Sequence, residues 1–217
     1  YNNLNFLLYS LVGPLIELDH IAISGRTLEE ASDYIESRLG VKVQDGGCHD
    51  RYGTHNKLLG LTEGIYLEAI AVNPAAKKFY QPRWFNLDNF DYEPRITNWI
   101  CRSKNIKNAV KNLSFESAKI IQIERDGVKW LMAVPINGIL PFDGAFPALL
   151  QWKTYPPATK LIPSGCSLKH ITISHPDATK LQKKIQMFKD SRVSFETHDQ
   201  VRFFAEFTTP QGVRSIE

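Results

Sequence analysis

At 217 residues, with 43% hydrophobic and 23% charged residues and a formal net charge of +3, the chain has the composition of a globular protein able to bury a full core. Its 26 basic residues are spread along the sequence, which argues against a nucleic-acid-binding protein. Three widely spaced cysteines, Cys48, Cys101 and Cys166, form no CxxC pair and no disulfide framework, which suits a reducing, cytoplasmic setting.

Residues 1–16 are the most apolar stretch, and Leu4 to Ile16 carry no charge. These thirteen residues fall short of the ~20 that span a bilayer. No basic residue precedes them and no small-residue cleavage site follows, so they read as an N-terminal strand or short helix packed on the domain. A β-rich run over 18–24 comes next. Thr27 then reads as an N-cap, with Glu30 reaching back in a capping box. Leu28, Ala31, Ile35 and Leu39 share one helical face, and Gly40 stops the helix. A strand at 41–44 is expected to enter an Asp45-Gly46-Gly47 turn, followed by strands at 52–61 and 65–72. Residues 17–75 thus form a β-α-β-β-β unit. Residues 76–94 hold Phe79, Tyr80, Trp84 and Phe85 and read as a structured connector.

The same order recurs. In residues 95–153 a strand at 96–102 precedes a helix at 105–113. A hairpin follows across Arg125-Asp126-Gly127, and 146–153 is the closing strand. A proline-rich connector, 154–165, leads to a third unit at 166–217. Its helix, 178–188, is capped by Asp177, and its strands lie at 193–197, 201–207 and 213–217. Three units of roughly 50 residues make an internal repeat.

The repeat carries chemistry. Leu18-Asp19-His20-Ile21-Ala22-Ile23-Ser24 and Leu168-Lys169-His170-Ile171-Thr172-Ile173-Ser174 agree at five of seven positions. Glu68 follows His20 by 48 residues, and Glu217 follows His170 by 47. Glu68 lies between Tyr66-Leu67 and Ala69-Ile70, where a buried carboxylate needs a partner. No P-loop, GxGxxG or GxSxG occurs.

These features resemble the vicinal oxygen chelate superfamily, which includes glyoxalase I, methylmalonyl-CoA epimerase, extradiol dioxygenases and fosfomycin-resistance proteins. The likeness rests on Leu18-Asp19-His20, Gly53-Thr54-His55-Asn56, Tyr66-Leu67-Glu68 and Pro82-Arg83-Trp84-Phe85, and later on Thr209-Pro210-Gln211-Gly212. The resemblance implies an α+β fold of repeated β-α-β-β-β modules forming a half-open curled sheet. It also implies a divalent metal (Zn, Ni, Mn, Co or Fe) held by His20, Glu68, His170 and Glu217. Glu68 would serve as a catalytic base, and His55, Asn56, Arg83 and Gln151 would bind substrate. The expected activity is that of a metal-dependent lyase, isomerase or dioxygenase acting on a small oxygenated metabolite.

The middle unit departs from the pattern, since Trp99 aligns with His20 and Gln151 falls near the place of Glu68. If units one and three share a site, the four-ligand set is complete. If units one and two pair, only His20 and Glu68 remain, joined at most by His55 or Gln151. The alternative function is a metal-free small-molecule binding or sequestering protein, as in resistance to bleomycin-type drugs. The expected partner is a small molecule, with neither nucleic acid nor membrane involved and a homodimer left open. Read singly, the residues also allow blander roles. His20 and His170 could be hydrogen-bonded core residues, Arg83 a surface ion pair, and Trp84, Phe85, Trp99 and Trp152 core packing. His49, His175 and His198 fall in polar loops and read as solvated.

Overall fold

The computed structural model describes residues 15–77, 82–115 and 117–217, so most of the apolar N-terminal stretch lies outside it. The first unit comprises β1 (Glu17–Ser24), α1 (Leu28–Leu39), β2 (Gln44–His49), β3 (Thr54–Leu61) and β4 (Tyr66–Val72). The second comprises β5 (Arg95–Arg102), α2 (Ile106–Asn112), β6 (Ala118–Arg125), β7 (Val128–Pro135) and β8 (Ala148–Trp152). The third comprises β9 (Pro163–His175), α3 (Ala178–Lys184), β10 (Val193–Thr197), β11 (Arg202–Thr209) and β12 (Gly212–Ile216). All twelve join one open, curled, mixed sheet. Its path runs β12-β11-β9-β3-β4-β1-β5-β8-β7-β6, with β2 on β3 and β10 on β9.

α1 forms for the reasons its sequence announces. The Thr27 side chain accepts from the Glu30 backbone N–H at 3.1 Å, and Gly40 ends the helix at φ +71. Glu30 turns back one residue further than a capping box requires, its carboxylate accepting from the Arg26 N–H at 3.1 Å. Leu28, Ala31, Ile35 and Leu39 are buried, and α1 packs chiefly on β4. Leu67, Ala69 and Ala71 of β4, like Ile21 and Ile23 of β1, are at most 1% exposed. The opposite face of β1 and β4 is left to line the concave side of the sheet.

The expected Asp45-Gly46-Gly47 turn lies instead within β2, at a register shift between Asp45 and Cys48. The glycines are there for close approach. A Cβ on Gly46 would run into the side-chain and main-chain oxygens of Asn56, and the Gly47 N–H donates to Asn56 Oδ1 at 2.9 Å. Gly46→Ala is therefore expected to cost ~1–3 kcal/mol of stability through overpacking, read from urea denaturation. An unchanged midpoint would refute the close-packing account.

Units one and two meet along antiparallel β1 and β5. In each of these units the first strand pairs in parallel with the last, β1 with β4 and β5 with β8. The third unit keeps the element order and changes the pairing. β9 lies between parallel β10 and antiparallel β11, while β12 pairs with β11. The unit joins the rest of the sheet where the start of β9 meets the end of β3. α3 is shorter than expected, and Asp177 makes no side-chain cap; it pairs with Lys180 at 2.8 Å.

Candidate active site

In the parallel β1–β4 register, His20 lies opposite Tyr66 and Ala22 opposite Glu68. In the β3–β4 register, Leu58 lies opposite Glu68 and Asn56 two residues away on the same face. These strands gather His20, Asn56, Tyr66 and Glu68 around one buried cavity of about 30 Å³. His20 Nε2 stands 3.3 Å from Glu68 Oε2, and its Nδ1 is 2.7 Å from Asp19 Oδ1. A register shift between Leu18 and His20 accompanies this contact between neighbouring residues. Asp19 is held in turn by the Trp152 indole N–H at 2.8 Å and by Arg102 at 3.7 Å. Tyr66 stacks on the His20 ring, centroids 4.4 Å apart.

Glu68 accepts from the Asn56 amide at 2.5 Å. Asn56 Oδ1 accepts from Arg125 Nη1 at 2.8 Å, and the same nitrogen stands 2.9 Å from His49 Nε2. His49 Nδ1 is 3.0 Å from Thr54 Oγ1. With Arg125 always a donor, His49 Nε2 is the acceptor and Nδ1–H donates to Thr54. Arg125 ends β6, so the second unit completes a network begun in the first. Trp84, Phe85, Trp130 and Trp152 help to wall the cavity.

Two imidazoles in this cavity hold opposite charge states. Burial works against a charge on His20, but the hydrogen bond to Asp19 and the Glu68 carboxylate outweigh it and raise its pKa to about 9. Glu68 also pays for burial, yet His20, His49 and Asn56 bring it down to about 2. His49 has burial and the Arg125 cation against it, with Glu68 alone opposing them, and falls to about 3. At neutral pH the site therefore holds an imidazolium between two carboxylates beside a neutral imidazole and a guanidinium.

The structure brings together His20, Glu68 and Asn56 from the expected set and places the others elsewhere. His170 is half-buried, with Nε2 2.8 Å from Ser194 Oγ. Glu217 is exposed, and its carbonyl accepts from the Ile96 N–H at 2.8 Å. The four-ligand set does not assemble, because β12 is one strand removed from β9 whereas β4 lies directly beside β1. His55 neighbours Asn56 and so points to the opposite face of β3. Gln151 accepts from the Ile106 N–H at 3.1 Å, at the start of α2. Arg83 is bound to the Asp88 carboxylate. Trp99 lies opposite Ile21, donates to the Ala145 carbonyl at 2.8 Å and packs on Phe188. Ile100 is the cross-strand partner of His20, and Leu150 lines the cavity.

Sequence reasoning missed Asp19, His49 and Arg125. His49 and His175, expected to be solvated, are 4% and 5% exposed. His49 lies edge-on to Trp84 at 5.0 Å, and His175 Nδ1 accepts from the Asp177 N–H at 2.7 Å. The paired glycines that let β2 close on Asn56 were the available sign that His49 turns inward.

As a metal site the donor set is short. His20 and Glu68 converge, but no group of three His, Cys, Asp or Glu among the described residues is placed to hold an ion. Catalytic zinc and non-haem iron take three protein ligands. The rest of the lining is aromatic and aliphatic apart from His49, Asn56, Tyr66 and Arg125, and the Arg125 cation takes up both His49 Nε2 and Asn56 Oδ1. This arrangement does not fit a resident divalent metal.

The glyoxalase-like domain family model matches residues 18–188, which span this cavity and both units that build it. The chain belongs to the glyoxalase-like domain family. The glyoxalase-like fold is also seen in a hypothetical protein from Staphylococcus aureus. It is 19% identical, with a TM-score of 0.64 over 86% of this chain and 88% of that one. A methylmalonyl-CoA epimerase from Mycobacterium tuberculosis is 14% identical, with a TM-score of 0.46 over 69% of this chain and 96% of that one. A Streptomyces coelicolor methylmalonyl-CoA epimerase variant in complex with 2-nitronate-propionyl-CoA is 11% identical, with a TM-score of 0.43 over 64% and 96%. No curated protein matches the chain. No helix among the described residues of this glyoxalase-like protein is long and apolar enough to cross a membrane.

Proposed function

We propose that the protein is a small-molecule enzyme that moves a proton at a carbon beside a carbonyl, without a resident divalent metal. The observation that carries this reading is the Asp19–His20–Glu68 array. A fixed imidazolium faces a fixed carboxylate in a cavity walled largely by aromatic side chains. The Asp19 contact has the 2.7 Å length of a charge-assisted hydrogen bond, whereas the Glu68 contact is longer at 3.3 Å. The Glu68 side of the ring is thus the one a substrate oxygen can enter. Glu68 takes the proton from carbon, and the electron pair of that C–H bond moves onto the carbonyl oxygen. The His20 Nε2–H donates a hydrogen bond to the developing enolate, a task Asp19 supports by holding the ring charged and oriented. The work expected of a metal, polarising a carbonyl, is assigned here to His20.

The test is hydrogen–deuterium exchange at carbon, followed by NMR in D₂O with small 2-oxo acids and acyl thioesters. Exchange should survive chelator treatment and fall by roughly a hundredfold or more in Glu68→Gln and in His20→Asn. Exchange that disappears on chelation and returns with Zn, Mn, Ni or Fe(II) would overturn the metal-free mechanism. A second reading, binding without turnover, draws on the cavity itself, whose 30 Å³ is on the scale of one or two waters. Tight binding with no exchange in any compound would favour it.

A further inference from the structure

A second, much larger space adjoins the concave side of β5. It is a groove of about 940 Å³ bounded by β5, the connector ending at Arg95, and β9 and β11 of the third unit. Its volume lies in the range of small-molecule sites, unlike that of the cavity around His20. Asn98 of β5 lines it. The residue is 3% exposed, and its side-chain Oδ1 has no hydrogen-bond partner among the described residues. A buried amide oxygen without a partner costs about 1–3 kcal/mol, a penalty a ligand N–H or O–H would remove. The rings of Tyr34, Phe90, Tyr92 and Phe204 also line the groove. The charged groups on the rim are of both signs, with Arg95 lying over Tyr92 at 4.0 Å and Glu93 tied to Arg26 at 3.0 Å. The distinguishing features are these aromatic rings and the buried acceptor without a partner.

Phe85 lines both the groove and the cavity around His20. Its backbone sits at φ +58 and that of Asn86 at φ +55, a left-handed pair in which a bulky aromatic is an outlier. The segment is held by the Asn86 N–H on the Gly138 carbonyl at 3.1 Å. Such conformations cost on the order of 1–3 kcal/mol each and persist where the surroundings impose them.

We infer that this groove binds a flat aromatic small molecule whose N–H or O–H meets Asn98, and that Phe85 is the partition between that bound ligand and the His20–Glu68 pair. The inference goes beyond the proposed function, whose substrate meets His20 and Glu68 directly. It is tested by binding alone, so absent proton transfer leaves its outcome unaffected.

The probes are indole-3-acetate and 4-hydroxyphenylacetate, each paired with its methylated counterpart, 1-methylindole-3-acetate and 4-methoxyphenylacetate. Dissociation constants are measured by NMR titration of the full chain. Wild type should prefer each donor over its methylated partner by about tenfold, the value of one hydrogen bond. Asn98→Leu, which keeps the apolar volume and removes the acceptor, should bring that ratio close to one. Titration of asparagine-labelled wild type gives a second readout, in which donor probes alone should shift the Asn98 side-chain signal. Phe85→Leu should let the same probes perturb the His20 ring signals more strongly than in wild type. Failure of either donor to bind, an equal affinity for the methylated compounds, or a preference that survives Asn98→Leu would overturn the inference.

Discussion

Replacing Glu68 with alanine is expected to lower the unfolding free energy at pH 7 by about 3–5 kcal/mol, the usual cost of removing one member of a buried ion pair. Glu68 is 5% exposed, and its loss leaves the His20 imidazolium with Asp19 as its sole carboxylate contact and the Asn56 amide without its acceptor. Two buried polar groups then lose a partner at once, and Asn56 cannot turn freely because its Oδ1 is tied to Arg125. Urea denaturation of the two proteins at pH 7 measures the effect. A change below about 1 kcal/mol would mean that His20 sheds its proton and relaxes at little cost, and the charge assignment would be wrong. Glu68→Gln should cost less, since a side-chain oxygen still meets Asn56.

The second large effect is alkaline. His20 binds its proton more tightly in the folded chain, at about 9 against the ordinary 6.5, so its contribution is whole below pH 6.5. It should be lost as pH rises through 9, a fall of about 3 kcal/mol. The groups that face the ring are Asp19 and Glu68, with Tyr66 stacked on it. The Tyr66 hydroxyl is pushed well above its usual range and does not titrate in this window. On the acid side the sign reverses. Glu68, lowered from 4.5 to about 2, loses its contribution as pH falls through that interval. Urea midpoints between pH 5 and 9.5, for wild type and His20→Asn, isolate the alkaline limb. Parallel curves for the two would remove His20 as its cause.

Much of the architecture was legible because local signals agreed with the tertiary outcome. Thr27, the face of Leu28, Ala31, Ile35 and Leu39, and Gly40 define α1 without outside help. The Arg125-Asp126-Gly127 turn was readable from its residue types, Asp126 and Gly127 both having positive φ. His20 and Glu68 were found because β1 and β4 pair within one unit at a fixed spacing. His170 and Glu217 share that spacing but not that pairing, and strand order is decided by which edges are open when units dock. Trp99 and Gln151 lie one residue from positions facing the cavity, and in a strand a slip of one residue exchanges the two faces. Arg125 was read as turn chemistry. Its partner Asn56 is 69 residues away, and no local pattern encodes such a contact.

The attachment of β9 to β3 has a consequence for the edges of the sheet. β2 pairs with β3 between Thr54 and Leu58, leaving the last part of that edge to β9 at Gly60 and Leu61. The seam is reinforced by the Gln44 side chain, which both donates to and accepts from the Ile162 backbone at 2.9 Å, and by the Ser164 hydroxyl on the Gly60 carbonyl at 2.6 Å. A bare row of N–H and C=O groups here would offer a template to any passing strand. The third unit, poor in the chemistry its histidine advertised, thus covers a stretch of edge the first unit leaves bare, and the ends of the sheet pass to β12 and β6.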